Sequence, residues 1–168
     1  MISRRTIVIG GAALAVTFPA YSKERPMPDN VATLRKVISS WHEADVEGVL
    51  ACLHEDITWN NSGGMKPPIQ GKAQMRKTLE AMKGRLKNNR WRLFDVAAVG
   101  ETVWMEGVDE FDTMDGTRIA IPYCGILDYE DGLIRHWREY FDGRLQDEQV
   151  AGKGVRDTVD AMLARPAV

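Results

Sequence analysis

Two acidic residues carry the most promising chemistry in this 168-residue chain, Asp109 and Glu139. Each lies in a segment whose apolar positions alternate with period two, as in a strand. Met105, Gly107, Asp109 and Phe111 share one face of the first segment. Arg135, Trp137, Glu139 and Phe141 share one face of the second, and Trp137 and Phe141 make that face the apolar, inward one. Between them in sequence, a third segment turns Ile119, Ile121 and Tyr123 one way and offers a phenol. Two carboxylates facing one apolar interior cannot both stay charged cheaply, so one is expected to hold a proton. A neutral and an ionised carboxyl together form an acid/base pair. The plainer alternative, in which one of them bonds backbone or faces solvent, stays open at this point.

The elements that position these residues follow from periodicity. Val31, Leu34, Val37, Ile38 and Trp41 recur at helical spacing after a capping Asp29 or Asn30. A short helix is expected after Asp45, with Val46, Val49, Leu50 and Leu53 on one face, then a brief strand at Ile57-Thr58-Trp59. The run from Asn60 to Gln70 is dense in Gly and Pro and reads as a loop. A third helix is expected over about Lys72 to Met82, with Met75, Leu79 and Met82 inward. Trp91–Val99, Thr102–Thr113, Thr117–Tyr129 and Leu133–Asp142 then read as strands, separated by Gly100-Glu101, Met114-Asp115-Gly116 and Glu130-Asp131-Gly132 turns. The predicted fold class is α+β: a cone-shaped, curved antiparallel sheet packed against three N-terminal helices and enclosing a pocket. A domain over residues 29–146 and a tail over 147–168 with a weak helix at Val155–Leu163 complete the organisation.

Composition narrows the function. With 44% hydrophobic and 27% charged residues and a formal net charge of −2, the chain reads as one globular domain with no basic excess for nucleic acid. A small apolar molecule is the expected ligand. Met1–Ser22 reads as an export signal: Arg4-Arg5, an apolar run from Ile7 to Phe18, and Ala20-Tyr21-Ser22 as a cleavage site. The run is shorter than the roughly 20 apolar residues of a membrane span. A twin-arginine type is favoured over an ordinary basic signal, residues 23–28 form a linker, and the mature protein is expected in the periplasm or secreted, with no membrane association after signal removal. Cys52, in a helical core pattern, is expected as a buried thiol rather than half of a disulfide with Cys124. His42, His54 and His136 lack metal-ligand spacing, no dinucleotide or phosphate loop is complete, and no Gly-x-Ser-x-Gly elbow occurs. Cofactor-free, metal-free chemistry is the consistent reading.

Gly125-Ile126-Leu127-Asp128-Tyr129-Glu130-Asp131-Gly132-Leu133-Ile134, followed by Trp137-Arg138-Glu139-Tyr140-Phe141-Asp142, resembles limonene-1,2-epoxide hydrolase. More broadly the chain resembles the SnoaL-like and ketosteroid-isomerase-like, or nuclear transport factor 2-like, superfamily of cone-shaped domains. Asp56–Asn61, Pro67–Gly71 and Glu106–Asp109 extend the similarity upstream, so that it covers about Val31 to Asp142. The resemblance implies a homodimer in which an ionised carboxylate, an asparagine and a tyrosine hold the water that opens an epoxide. A protonated carboxyl donates to the leaving oxygen, and an arginine bridges the two acids. By match of position the base falls on Glu139, the acid on Asp109, the asparagine on Asn61, the tyrosine on Trp59 and the arginine on Gly107.

Three of these depart from the pattern. Glu replaces Asp as base, Trp59 has an N–H donor where the family has a phenol, and Gly107 removes the arginine. Tyr123 is a candidate to replace the phenol, and Arg135, in phase with Glu139, to replace the cation. Trp59, Tyr123, Trp137, Ile121 and Phe111 are the expected substrate-binding wall. Two other readings compete with hydrolysis: a proton-transfer isomerase or cyclase on a polycyclic or polyketide-like substrate, and a pocket that binds an apolar molecule without turnover.

Overall fold

A computed structural model describes residues 29–61, 64 and 66–168. The export signal and linker expected over residues 1–28 lie outside the described residues. Helix α1 (Asn30–His42) is capped by Asp29, whose side chain accepts from the Ala32 N–H at 2.9 Å. It buries Leu34, Val37, Ile38 and Trp41 in the core, each such side chain contributing about 1.5–3 kcal/mol. Helix α2 (Val46–Leu50) is capped in the same way by Asp45, and α3 (Lys72–Lys83) sends Met75 and Leu79 inward.

Seven strands form one sheet: β1 (Leu53–Asn60), β2 (Ile69–Gln70), β3 (Leu86–Lys87), β4 (Arg92–Val99), β5 (Thr102–Thr113), β6 (Arg118–Glu130) and β7 (Leu133–Phe141). Their order is β2-β1-β7-β6-β5-β3, with β4 also paired to β5. The sheet curls into a half-barrel around the face covered by the N-terminal helices, the cone expected from sequence. It is not wholly antiparallel, however: β1 runs parallel to β7, with Trp59 opposite Trp137. The chain reaches β7 through three further long strands, so nothing local obliges the two to run in opposite directions. β1 is also longer than Ile57-Thr58-Trp59. Its first half, His54-Glu55-Asp56, sits at an irregularity in the β1–β7 register and leaves Glu55 and Asp56 exposed, which hides the strand period.

The hairpins follow their turn residues. Asp131 and Gly132 both have positive φ, at 50° and 80°, between the paired Glu130 and Leu133, the requirement of a two-residue primed turn. Beyond the sheet come α4 (Gly143–Glu148), a π-helical segment (Gln149–Lys153) and α5 (Asp157–Leu163). The tail packs on the convex face: Val159 and Leu163 cover Phe94, Val108 and Ala120. Gln149, buried, accepts from the Ala120 N–H at 2.7 Å and donates to its carbonyl at 2.9 Å, pairing with the sheet as a strand would. Cys52 is a buried free thiol and Cys124 an exposed one.

Candidate active site

The register of the three longest strands lays the predicted residues on one concave grid. Asp109 is opposite Ile121; Gly107, Tyr123 and Phe141 form the next row; Met105, Gly125 and Glu139 form the one after. Asp109 and Glu139 therefore sit at opposite corners of three adjacent rows, with Tyr123 at the centre. On a flat sheet those corners would be far apart. Curling brings the side chains of the concave face together, and the Asp109 charge acts directly on Glu139.

One wall of the grid is aromatic. Trp59 and Trp137 meet with ring centroids 5.6 Å apart, Trp137 stacks on Trp91 at 5.6 Å and 17°, and Trp91 meets Tyr123 edge-on at 5.8 Å. This wall carries its polar atoms toward the acids. Trp59 Nε1 donates to Glu139 Oε2 at 2.9 Å, and Trp91 Nε1 donates to the Tyr123 hydroxyl. Phe111, Ile119 and Ile121, with Leu86 and Phe141 against them, close the end beside Asp109 with hydrocarbon. Asn61, half-buried, lies in the turn one residue beyond the Asn60–Arg138 pair, level with Glu139 along the strand. Its side chain makes no hydrogen bond among the described residues.

Both acids are surrounded by protein, yet each keeps an intermediate solvent exposure. Burial pushes Asp109 up to about 6, and its Oδ1 has no hydrogen-bond partner. Burial pushes Glu139 up to about 7, with the Asp109 charge adding to the rise and the Trp59 N–H opposing it. Trp137 Nε1 also favours the Glu139 anion, though it falls short of a formed hydrogen bond. Between these values the pair holds a single proton. The N–H donors aimed at Glu139, with none acting on Asp109 among the described residues, favour the form that carries the proton on Asp109.

No arginine, lysine or histidine acts on either acid among the described residues. Arg135 does not fill the place left by Gly107. Its guanidinium bonds the Asp56 carbonyl oxygen and lies near the Asp56 and Glu130 carboxylates, because β7 carries it beyond the grid toward the start of the strand. Tyr123 lies against the Gly107 position. A Cβ on Gly107 would lie 2.9 Å from the Tyr123 hydroxyl and collide with the Arg92 carbonyl oxygen, so the phenol occupies the space the family's arginine would enter. Trp91 was the residue that sequence reasoning missed. Its tie to Tyr123 joins residues 32 positions apart, with only its place at the start of a strand to suggest an inward ring. A shallow depression of about 160 Å³ is lined by Glu106, Pro122, Tyr123, Cys124, Tyr140 and Met162, and neither acid of the pair borders it.

Residues 34–137 match the family model of the SnoaL-like domain. The chain belongs to that family. Within it, this SnoaL-like domain is 28% identical over 105 residues to the epoxide hydrolase EphG of Mycobacterium tuberculosis, a match covering 62% of this chain and 68% of the relative. Among solved structures it is similar to an LEH-like epoxide hydrolase of M. tuberculosis, with a TM-score of 0.64 and 23% identity over 73% of this chain and 89% of that one. It is also similar to the epoxide hydrolase/cyclase-like enzyme SalBIII of pyran ring formation in the polyether salinomycin, with a TM-score of 0.61 and 17% identity over 67% and 90% of the two chains. These two likenesses concern the fold.

Proposed function

We propose that this SnoaL-like domain adds water to an epoxide on a small lipophilic substrate, without a cofactor. The observation that carries the reading is the acid pair: two carboxyls raised to about 6 and about 7 on a concave face shared with tryptophans and aliphatic side chains. The relationship to EphG supports it. Glu139, as the anion, takes a proton from a water that Asn61 helps to orient. The water oxygen attacks an oxirane carbon, the carbon–oxygen bond of the ring breaks, and Asp109 gives its proton to the departing oxygen. The product is a vicinal diol. Phe111, Ile121 and the Trp59–Trp137 wall contact the hydrocarbon part of the substrate.

The required tautomer has Asp109 protonated and Glu139 ionised. The Trp59 N–H, which lowers Glu139 while no such donor acts on Asp109 among the described residues, favours that form. Turnover of the purified mature protein on cyclic terpene and aliphatic epoxides in ¹⁸O-labelled water tests the proposal. Label in the diol, lost in Asp109→Asn and Glu139→Gln, supports it. Wild-type rates in both variants overturn it.

A second reading has one observation in its favour: Asp109, Tyr123 and Glu139 lie on a diagonal of the concave face as groups that can move protons within a substrate without adding water. The fold it shares with SalBIII is compatible with such a cyclase or isomerase. Formation of product without incorporated label would favour it. We further propose, from the Arg4-Arg5 leader and the family resemblance, an exported homodimer. N-terminal sequencing of the fractionated protein and sedimentation of the mature chain test those two points.

A further inference from the structure

Ring opening as proposed leaves the proton on the wrong acid. Glu139 has gained one from water and Asp109 has given one to the leaving oxygen, so a proton must cross from Glu139 to Asp109 before the next turnover. Tyr123 sits at the centre of the rows that separate them. Its hydroxyl oxygen accepts from Trp91 Nε1, which leaves a second lone pair and its own hydrogen for the concave face. Asp109 Oδ1 is buried with no partner, an open acceptor on the same concave face. Both carboxylate charges act on the phenol and, with burial, hold it well above the ordinary tyrosine range, so it stays protonated. The other titratable group acting on it is Cys124, its chain neighbour, exposed on the opposite side of the sheet. Trp91, from the start of β4, contributes a neutral donor.

We propose that Tyr123 is the proton relay that returns the acid pair to its reactive state, in space that the missing side chain of Gly107 leaves open. The inference rests on the hydrolase reading. The Tyr123 oxygen takes the Glu139 proton as its own hydroxyl hydrogen passes to Asp109, so one proton is transferred and the phenol is regenerated. No direct hydrogen bond joins Tyr123 to either acid among the described residues, so the relay requires a side-chain rotation or a bridging water on each side. Tyr123 is thus a positioning and relay group and takes no part in carbon–oxygen bond breaking.

Tyr123→Phe keeps the ring and removes the relay. The first turnover is expected near the wild-type rate, with steady-state turnover about 10²-fold slower, so that a burst of one equivalent of diol appears where the wild type shows none. Equal loss in both phases, or loss in neither, overturns the relay. A carbon-13 carboxyl titration of the substrate-free protein separates this outcome from failure of the hydrolase reading. In Tyr123→Phe the lower of the two apparent pKa values of the pair is expected to rise, because the single anion loses the hydroxyl that solvates it after rotation or through the bridging water. An unchanged titration overturns the link between Tyr123 and the acids, whatever the substrate. A raised value in a protein that opens no epoxide retains the link and sinks the hydrolase.

Discussion

Gly107 and Tyr123 face each other across β5 and β6, and the bare backbone of the first is what lets the hydroxyl of the second stand where the acid pair can feel it. The arginine that relatives are expected to carry at this position has been exchanged for a neutral donor from the neighbouring strand. No cation among the described residues offsets burial, which pushes both carboxyls up.

That exchange makes Gly107 intolerant of any side chain. Gly107→Ala is expected to lose about 1–3 kcal/mol, since a Cβ there meets the Arg92 carbonyl and the Tyr123 hydroxyl. Gly107→Arg, which restores the family residue, is expected to lose more and to gain no activity. Urea denaturation at an unchanged slope gives the stability term; a Gly107→Ala protein as stable as the wild type would contradict the packing described.

Activity is expected to follow a bell in pH, with limbs near 6 and 7, because the reactive pair holds one proton. Trp59→Phe removes the donor that lowers Glu139, so the bell should move to higher pH and activity on the acid side should fall about tenfold. The pH dependence of kcat/KM for the two proteins measures both effects.

Folded-state pKa values above the unfolded ones mean that the folded protein binds more protons. The contribution of Asp109 and Glu139 to stability is therefore greatest below their ordinary values of 3.8 and 4.5, and is lost as pH rises through about 6 and about 7. At pH 8 both buried charges count fully against the fold. Asp109→Asn is then expected to be more stable than the wild type, by up to about 3 kcal/mol, while turning over no substrate. Thermal unfolding at pH 4 and pH 8 checks the sign: the gain should be confined to the higher pH.

On the convex side, Glu110 is only 3% exposed and is held by Arg90, Arg92 and Arg118, with Arg118 also reaching Asp160 on α5. Burial pushes its carboxyl up, and Arg118 and Arg90 together more than reverse this. Glu110→Gln should cost about 2 kcal/mol, between an exposed pair and a fully buried one, because it strands the arginines. Chemical denaturation reads that cost, and kcat of the folded variant should be unchanged.

Local patterning was enough for the helices and most strands. Asp29 and Asp45 cap where their side chains can reach the next free N–H groups, and period two on β5 and β7 placed Asp109 and Glu139 on the concave face. These are properties of neighbours along the chain, and any fold that buries Leu34 or Trp137 must respect them. The parallel seam of β1 and β7 was not legible, because it joins residues nearly 80 positions apart. Nor were the contacts of Arg135 with Asp56 and Glu130, or the tie from Trp91 to Tyr123. A strand period says which way a side chain points, but not what another strand brings to meet it. The amino-acid sequence by itself put each of two carboxylates on a strand face with apolar neighbours. Only the curl of the sheet decided that a tyrosine, and no arginine, stands between them.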